Sequence, residues 1–309
     1  MVRALVCPGQ GAQSIGMGKL LADEYSSAKA VFEEVDEALS ENLSSLIWKG
    51  DIEELTLTQN AQPALMAMSL AALRGLESEG FKTENCAYFA GHSLGEYSAL
   101  AMSKAISVSD AARLLRARGL AMQDAVPVGV GAMAAILGLN FATVQSLAVE
   151  AQVAGICQAA NDNDPSQVVI SGEKTAVQLA IELAKNSGAK RAIMLPVSAP
   201  FHCELMAPAA EKMKIELENI KIKPPIVPIV SNVKAQAISD PTEIKKLLVS
   251  QVTGSVRWRE SIIWMTKNNV DEIWEIGSGK ALSGMIRRID KNINLMNISS
   301  PEDIRTVNF

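Results

Sequence analysis

The sequence predicts an α/β fold in which a parallel sheet forms a large domain and a small subdomain is inserted into it. Short apolar runs that indicate buried strands alternate with longer stretches that indicate helices, and this alternation is typical of a doubly wound parallel sheet. Hydrophobic residues occupy 48% of the 309 positions, which is ample for a sizeable core. The order of predicted elements changes near residue 127, so we expect a large domain of residues 1–126 and 198–309 around a subdomain of residues 127–197.

The first part of the large domain is predicted to contain two strands and four helices. The strands are residues 3–8 and 87–90, and the helices are residues 18–39, 61–79, 94–102 and 109–124. The segment 64–73 is apolar on nearly every side, which indicates a buried helix packed against the second strand. Ser109 and Asp110 are expected to cap the last of these helices.

The inserted subdomain is predicted to have the element order βαββαβ, which is the ferredoxin-like arrangement. Its strands are residues 129–137, 156–160, 167–171 and 191–195, and its helices are residues 141–150 and 173–186. The polar run from Asn161 to Pro165 predicts a turn between the second and third strands.

The chain then returns to the large domain through an extended segment of residues 196–202. The remaining predicted elements are helices 203–219 and 245–251, strands 224–232 and 270–276, and a final helix after the turn 277–279.

The stretch Gly91-His92-Ser93-Leu94-Gly95 lies where a predicted strand meets a predicted helix. A serine between two glycines at such a turn is typical of a nucleophile elbow, whose strained backbone exposes the serine oxygen. The N-terminus of the following helix offers N–H groups to a developing oxyanion. Because such short patterns also occur by chance, an ordinary glycine-rich turn is the alternative.

A serine alcohol needs a general base, and the sequence contains two histidines, His92 and His202. His92 is adjacent to the serine, and neighbouring side chains on an elbow diverge, so His202 is the candidate base. The alternative for His202 is a histidine at a helix start with no catalytic role. The order of serine before histidine is that of α/β hydrolases, and the large domain is expected to be α/β-hydrolase-like.

A hydrolase triad would add an acid between the serine and the histidine. Asp162 and Asp164 lie there in sequence, but they belong to the inserted subdomain. The sequence therefore predicts a dyad more clearly than a triad, and a backbone carbonyl can orient a histidine through its Nδ1–H.

Arg118 falls within the apolar stripe of the predicted helix 109–124. A guanidinium aimed at the core must be paired, because an isolated buried charge is very costly. Its partner is either an internal carboxylate in a structural salt bridge or the carboxylate of a substrate. Arg113 and Arg116 lie on the opposite face of the helix, where solvation explains them.

A glycine-rich run, residues 9–18, follows the first predicted strand. Its spacing matches neither the dinucleotide fingerprint nor the P-loop. The run is therefore either a flexible turn or a loop that brings a backbone and a glutamine amide close to a ligand.

Composition excludes several classes of function. The formal net charge is −5 without any basic run, so nucleic-acid binding has no electrostatic support. No stretch approaches the ~18 apolar residues of a membrane span. Two histidines exclude a three-histidine metal site, and four scattered cysteines are typical of reduced thiols in a cytosolic protein. We expect a monomer that uses no cofactor and no metal.

Four separated motifs occur in the order Gly9-Gln10-Gly11-Ala12-Gln13, Gly91-His92-Ser93-Leu94-Gly95-Glu96, Arg118-Gly119 and Phe201-His202. Together they resemble the malonyl-CoA:acyl carrier protein transacylases, an acyltransferase family of fatty acid synthesis. The resemblance covers nearly the whole chain, including the insert. It implies a cytoplasmic enzyme that moves a malonyl group from malonyl-CoA to the phosphopantetheine thiol of acyl carrier protein.

By this resemblance, Ser93 is the acylated nucleophile and His202 is its partner. Gln251 falls where the family has a glutamine at the end of a helix, whose carbonyl orients the histidine. That contact would explain the missing acid of the triad.

The resemblance also implies three substrate-binding residues. Gln10 and the backbone N–H of Leu94 would line the oxyanion hole, and Arg118 would hold the free carboxylate of the malonyl group. A serine hydrolase is the rival enzyme, and it gives Arg118 no role. The non-enzymatic alternative is a module that binds the carrier protein without reacting, and such a module does not need an intact serine and histidine.

Overall fold

The computed structural model describes residues 1–197 and 199–307, which form two sheets and the helices around them. Residues 198, 308 and 309, which belong to the predicted large domain, lie outside the described residues. The strands are β1 (Arg3–Cys7), β2 (Tyr88–Gly91), β3 (Gly131–Leu137), β4 (Cys157–Asp164), β5 (Gln167–Glu173), β6 (Arg191–Met194), β7 (Ile229–Val230), β8 (Ala237–Ile238), β9 (Glu272–Ile276) and β10 (Asn294–Ile298).

The helices are α1 (Lys19–Glu24), α2 (Ser26–Leu39), α3 (Leu43–Lys49), α4 (Ile52–Thr56), α5 (Thr58–Ser78), α6 (Gly95–Met102), α7 (Val108–Asp124), α8 (Phe141–Glu150), α9 (Lys174–Asn186), α10 (Ala207–Glu218), α11 (Pro241–Thr253), α12 (Trp258–Lys267), α13 (Ala281–Ile289) and α14 (Pro301–Thr306). Short 3₁₀ turns cover Thr83–Asn85, Ala151–Ala154 and Glu204–Met206.

The larger sheet has the strand order β10-β9-β1-β2-β7-β8. Its neighbouring strands run parallel, except that β7 and β8 are antiparallel. β1 and β2 lie in the middle, and ligands of such sheets bind beyond the carboxyl ends of the strands. The prediction of an α/β fold with a mostly parallel sheet is confirmed.

The smaller sheet is antiparallel, with the order β4-β5-β3-β6. Its strands and the helices α8 and α9 follow one another along the chain as βαββαβ. It has its own apolar core, in which the two helices cover one face of the sheet.

α5 is buried on nearly every side, as the apolar run predicts. Its main neighbours are the helices α2, α6 and α7, so it packs chiefly against helices rather than against the strand before the serine. Pro63 lies in the interior of α5 and cannot donate to the carbonyl of Gln59. Arg116 Nη1 donates to that carbonyl instead, at 2.8 Å. The expectation that Arg116 is only solvated is therefore wrong.

Several predicted boundaries are also wrong for identifiable reasons. The predicted helix 18–39 is two helices, because Tyr25 between them has an extended backbone. The cap of α7 is Ser107, whose Oγ accepts from the N–H of Asp110 at 3.0 Å. The predicted strand 224–232 is reduced to β7, because the prolines of this segment offer no N–H to a neighbouring strand. Local patterns did not identify α3, α4, α12, α14, β8 and β10.

The predicted turn from Asn161 to Pro165 is mostly strand, since β4 continues to Asp164. Asp162 pairs with Arg259 of α12 at 2.8 Å, and Asp164 pairs with Arg288 of α13 at 2.7 Å. Both carboxylates are fully buried, and their partners come from the larger sheet's side of the molecule. This polar run therefore attaches the smaller sheet to the rest of the fold, and neither carboxylate contacts His202.

The two glycines around Ser93 allow a close approach of β1, β2 and α6. A Cβ on Gly91 would lie 1.9 Å from the carbonyl oxygen of Gly95, and a Cβ on Gly95 would lie 2.4 Å from that of Cys7. Both obstacles are backbone atoms of central elements and cannot move aside. The glycine spacing thus places the start of α6 directly over the ends of β1 and β2.

Gly95→Ala is expected to destabilise the protein by about 2 kcal/mol, because the added methyl group overlaps the central strand. Denaturant unfolding followed by circular dichroism measures the free energy of unfolding. Gly284→Ala in α13 is the matched control, because its Cβ would meet no atom closer than 3.7 Å and alanine favours a helix. Equal stabilities of the two variants would contradict this account of the turn.

Candidate active site

Ser93 occupies the turn between β2 and α6 with a φ of 53°, in the left-handed region that residues other than glycine rarely adopt. Asn232 holds this turn from both sides. Its Oδ1 accepts from the N–H of Ser93 at 2.8 Å, and its Nδ2 donates to the carbonyl of Gly91 at 2.7 Å. The strained backbone is therefore fixed by a side chain that lies just beyond β7.

The Ser93 hydroxyl contacts the histidine that the sequence singles out. Its Oγ lies 2.8 Å from Nε2 of His202. Nδ1 of His202 lies 2.9 Å from the carbonyl oxygen of Gln251, which can only accept, so Nδ1 carries the proton. Nε2 is then the unprotonated nitrogen, and the serine hydroxyl donates to it.

Burial keeps His202 neutral. The side chain is 4% exposed, and burial together with the nearby Arg118 charge lowers its pKa to about 3. A neutral imidazole with a free Nε2 can take the proton of Ser93 at neutral pH.

His92 is directed away from this pair. Its Nε2 donates to Oδ1 of Asn163 in β4 at 2.9 Å, and burial lowers its pKa. The side chain thus connects the turn to the smaller sheet, and of the two histidines the structure brings His202 to the serine oxygen.

Arg118 is 1% exposed and extends from α7 to the serine. Its Nη2 donates to Ser93 Oγ at 3.0 Å and to Gln251 Oε1 at 2.8 Å. Its Nη1 donates to Gln62 Oε1 at 2.9 Å. Its Nε has no hydrogen-bond partner among the described residues.

The guanidinium of Arg118 is surrounded by uncharged groups. It forms no salt bridge with any residue in the described ranges 1–197 and 199–307. The ring of Tyr97 lies 5.6 Å from its Cζ, and burial lowers its pKa. The alternative of a direct structural salt bridge is therefore wrong for the described part of the chain.

One buried carboxylate, Glu96, belongs to the same network without touching Arg118. Its Oε2 accepts from Gln251 Nε2 at 2.8 Å and from the N–H of Asn232 at 3.2 Å. Burial raises the pKa of this carboxyl to about 7.

A cavity of about 460 Å³ opens in front of Ser93 and Arg118. The glycine-rich loop after β1 forms one side, and residues of the smaller sheet form another. Gln10 and Leu94 both line the cavity, and neither backbone N–H has a hydrogen-bond partner among the residues that the structure describes. The arrangement supplies a nucleophile, a base, two free N–H donors and a buried cation in one cavity.

Several polar residues of the site were missed from the sequence. Asn232 closes a predicted strand, Asn163 lies in an apparent turn, and Gln62 and Glu96 lie in helices that are otherwise apolar. A buried polar residue in an apolar helix is the one local signal that could have identified Gln62 and Glu96.

No group of three or more histidine, cysteine, aspartate or glutamate side chains in the described ranges could hold a metal ion. Within the same residues, none of the helices has the length and apolarity needed to cross a membrane.

The family model for the acyl transferase domain matches residues 4–276, so the chain has the fold and sequence of this class. Three relatives are more specific. A malonyl CoA-acyl carrier protein transacylase of Bacillus subtilis is 47% identical over 302 residues, which cover 97% of this chain and 94% of that protein.

The other two relatives are solved structures. An acyl-carrier-protein-S-malonyltransferase of Bartonella henselae has a TM-score of 0.97 at 52% identity and covers 99% of this chain and 98% of that one. The malonyl-transacylase PlMCAT, in complex with the type II PKS acyl-carrier protein AntF, has a TM-score of 0.96 at 39% identity and covers 99% and 98% of the respective chains. The chain belongs to the malonyl CoA-acyl carrier protein transacylase family, which confirms the resemblance of its motifs.

The rate at which an uncharged sulfonyl fluoride modifies Ser93 is expected to stay nearly constant from about pH 8 to about pH 5, since His202 with a pKa of about 3 remains neutral throughout. Circular dichroism at each pH verifies that the protein stays folded. Because Glu96 has a pKa of about 7 in the same network, the Glu96→Gln variant is the control. A loss of half the rate near pH 6.5, the ordinary pKa of histidine, that persists in Glu96→Gln would contradict the environment described for His202.

Proposed function

We propose that this protein transfers a malonyl group from malonyl-CoA to the phosphopantetheine thiol of an acyl carrier protein, through a malonyl ester of Ser93. The malonyl group would then supply fatty acid biosynthesis. The relatives named above are malonyl transacylases, and one of them was solved with an acyl-carrier protein. These names support both the acyl donor and the acceptor.

The observation that carries the proposal is the buried Arg118 beside Ser93, with uncharged partners only. A malonyl thioester has a free carboxylate at the end of its acyl group, and an acetyl thioester has none. A carboxylate next to the serine ester would give the guanidinium its missing counter-charge. An acyl group without a charge leaves the guanidinium unpaired, which costs binding free energy.

The first half of the reaction forms the ester. His202 Nε2 takes the proton of Ser93 as Oγ bonds to the thioester carbonyl carbon, and the oxyanion accepts hydrogen bonds from the N–H groups of Gln10 and Leu94. The C–S bond then breaks, and the CoA sulfur takes the proton from His202. The carbonyl of Gln251 stabilises the imidazolium that forms in between.

The second half repeats these steps with a different thiol. The phosphopantetheine thiol gives its proton to His202 and attacks the ester carbonyl. The C–O bond of the ester breaks, and Ser93 recovers its proton from His202. Water must be kept out of the cavity between the two half-reactions, because hydrolysis of the ester would release free malonate before the carrier thiol reacts.

Further features of the protein belong to the proposal. We assign residues 1–126 and 198–309 to an α/β-hydrolase-like domain and residues 127–197 to a ferredoxin-like subdomain, which the two strand orders support. The reaction needs no cofactor and no metal, since serine and histidine supply its chemistry. We also propose a monomer and a cytoplasmic location, and the four unpaired cysteines support the latter.

Intact-mass spectrometry after incubation with malonyl-CoA is expected to show one added malonyl group on the protein and none on the Ser93→Ala variant. Acetyl-CoA is the matched donor without a carboxylate and should label far less protein. Adding holo acyl carrier protein should then move the malonyl group to the carrier thiol.

Three results would count against the proposal. Labelling that survives in Ser93→Ala would contradict the nucleophile. An absence of labelling in the unchanged protein would contradict the acyl transfer itself. Release of free malonate without labelled carrier protein would favour a serine hydrolase.

A further inference from the structure

Glu96 is a buried carboxylate to which the proposed reaction assigns no step. It lies in the first turn of α6, three residues after Ser93, and is 1% exposed. It does not line the cavity, and it forms no salt bridge with any described residue. A carboxylate is rarely buried without a partner, so its hydrogen bonds indicate its purpose.

The Oε2 atom of Glu96 contacts the side-chain amide of Gln251, and this contact determines how that amide is oriented. Oε2 also accepts from the N–H of Asn232, so it is an acceptor whether or not the other carboxyl oxygen carries a proton. The NH₂ group of Gln251 must therefore face it, as it does at 2.8 Å. The same NH₂ group donates to the carbonyl of Ser93 at 2.9 Å. With the NH₂ group held on this side, the amide oxygen necessarily lies on the other side.

That oxygen accepts from Nη2 of Arg118 at 2.8 Å. A rotated amide would direct its NH₂ group at the guanidinium and its oxygen at the carboxylate, and both contacts would be repulsive. The amide of Gln251 therefore lies between the Glu96 carboxyl and the Arg118 guanidinium, with its NH₂ group toward the acceptor and its oxygen toward the cation.

From these contacts we propose that Glu96 is a positioning residue, which orients the Gln251 amide and thereby holds the Arg118 guanidinium beside Ser93. The inference rests on the proposed function, because that function gives Arg118 the task of binding the acyl carboxylate. Glu96 itself touches neither the acyl group nor the reacting atoms.

The indirect arrangement has a chemical advantage over a direct ion pair. A carboxylate bound directly to Arg118 would occupy the planar fork and compete with the substrate. An intervening amide satisfies one N–H of Nη2, and Nη1 donates only to Gln62 Oε1, so the second N–H of Nη1 has no partner among the described residues. The guanidinium is thus held in place while part of its hydrogen-bonding capacity remains available.

The test compares Glu96→Met with Glu96→Gln. Methionine has a similar length but accepts no such hydrogen bond, whereas the amide oxygen of glutamine can still accept from Gln251. Glu96→Met is expected to lower the ratio of kcat/KM for malonyl-CoA to that for acetyl-CoA about tenfold, the effect of losing one hydrogen bond to a charged group. Glu96→Gln should keep this ratio within about threefold of that of the unchanged protein.

The rate at which an uncharged sulfonyl fluoride modifies Ser93 separates positioning from a merely structural role. It should change little in Glu96→Met, since Ser93 and His202 keep their contact. An unchanged malonyl-to-acetyl ratio in Glu96→Met would overturn the inference. So would equal losses in kcat/KM for malonyl-CoA, in kcat/KM for acetyl-CoA and in the rate of sulfonyl fluoride labelling.

Should Glu96→Met fail to fold, Gln251→Met gives the same comparison. It removes the amide but keeps the backbone carbonyl that holds His202, and an unchanged ratio would again overturn the inference. Crystal structures of the Glu96 variants add a readout that is independent of the substrate. The contact between Arg118 Nη2 and Gln251 Oε1 should persist in Glu96→Gln and be lost in Glu96→Met. Survival of this contact in Glu96→Met would contradict the positioning role of Glu96. This result does not depend on whether the protein transfers malonyl groups.

Discussion

The site depends on a full positive charge that is held out of water without a carboxylate in contact with it. Arg118 is almost completely buried, and its hydrogen bonds go to two glutamine side chains and the serine hydroxyl. Such a charge is costly without a counter-charge, because neutral acceptors compensate only part of the lost hydration. In the proposed function, a substrate that brings its own carboxylate would recover this free energy, and selectivity for that substrate would follow from the same cost.

The guanidinium also connects recognition to reactivity. It donates to Ser93 Oγ, the oxygen that attacks the acyl group in the proposed reaction, and its charge contributes to the low pKa of His202. A bound acyl carboxylate would offset that charge and make the imidazole a stronger base at the stage where it must accept a proton. The geometry that permits this is rigid, because Asn232 fixes the turn at Ser93 and the flanking glycines pack directly on β1 and α6.

The parts of the site that are local in sequence were predictable, and the parts that arise from packing were not. The glycine spacing around Ser93 predicted the turn, because a side chain at Gly91 or Gly95 would collide with backbone atoms of α6 or β1, and the count of histidines selected His202. Asn161 to Asp164 have the composition of a turn, yet they form a strand because arginines of α12 and α13 neutralise their carboxylates. Partners such as Asn163 and Asn232 reach the site only through tertiary structure, and no local pattern identifies them.

The central claim is that Arg118 recognises the acyl carboxylate, and Arg118→Ala tests it most directly. The kcat/KM values for acylation by malonyl-CoA and by acetyl-CoA are measured for this variant and for Arg113→Ala, which removes an exposed arginine from the same helix. Loss of charged hydrogen bonds is expected to reduce the malonyl-to-acetyl ratio by about 10- to 100-fold in Arg118→Ala and to leave it unchanged in Arg113→Ala. Equal losses for both donors in Arg118→Ala would contradict the account and make Arg118 a structural residue.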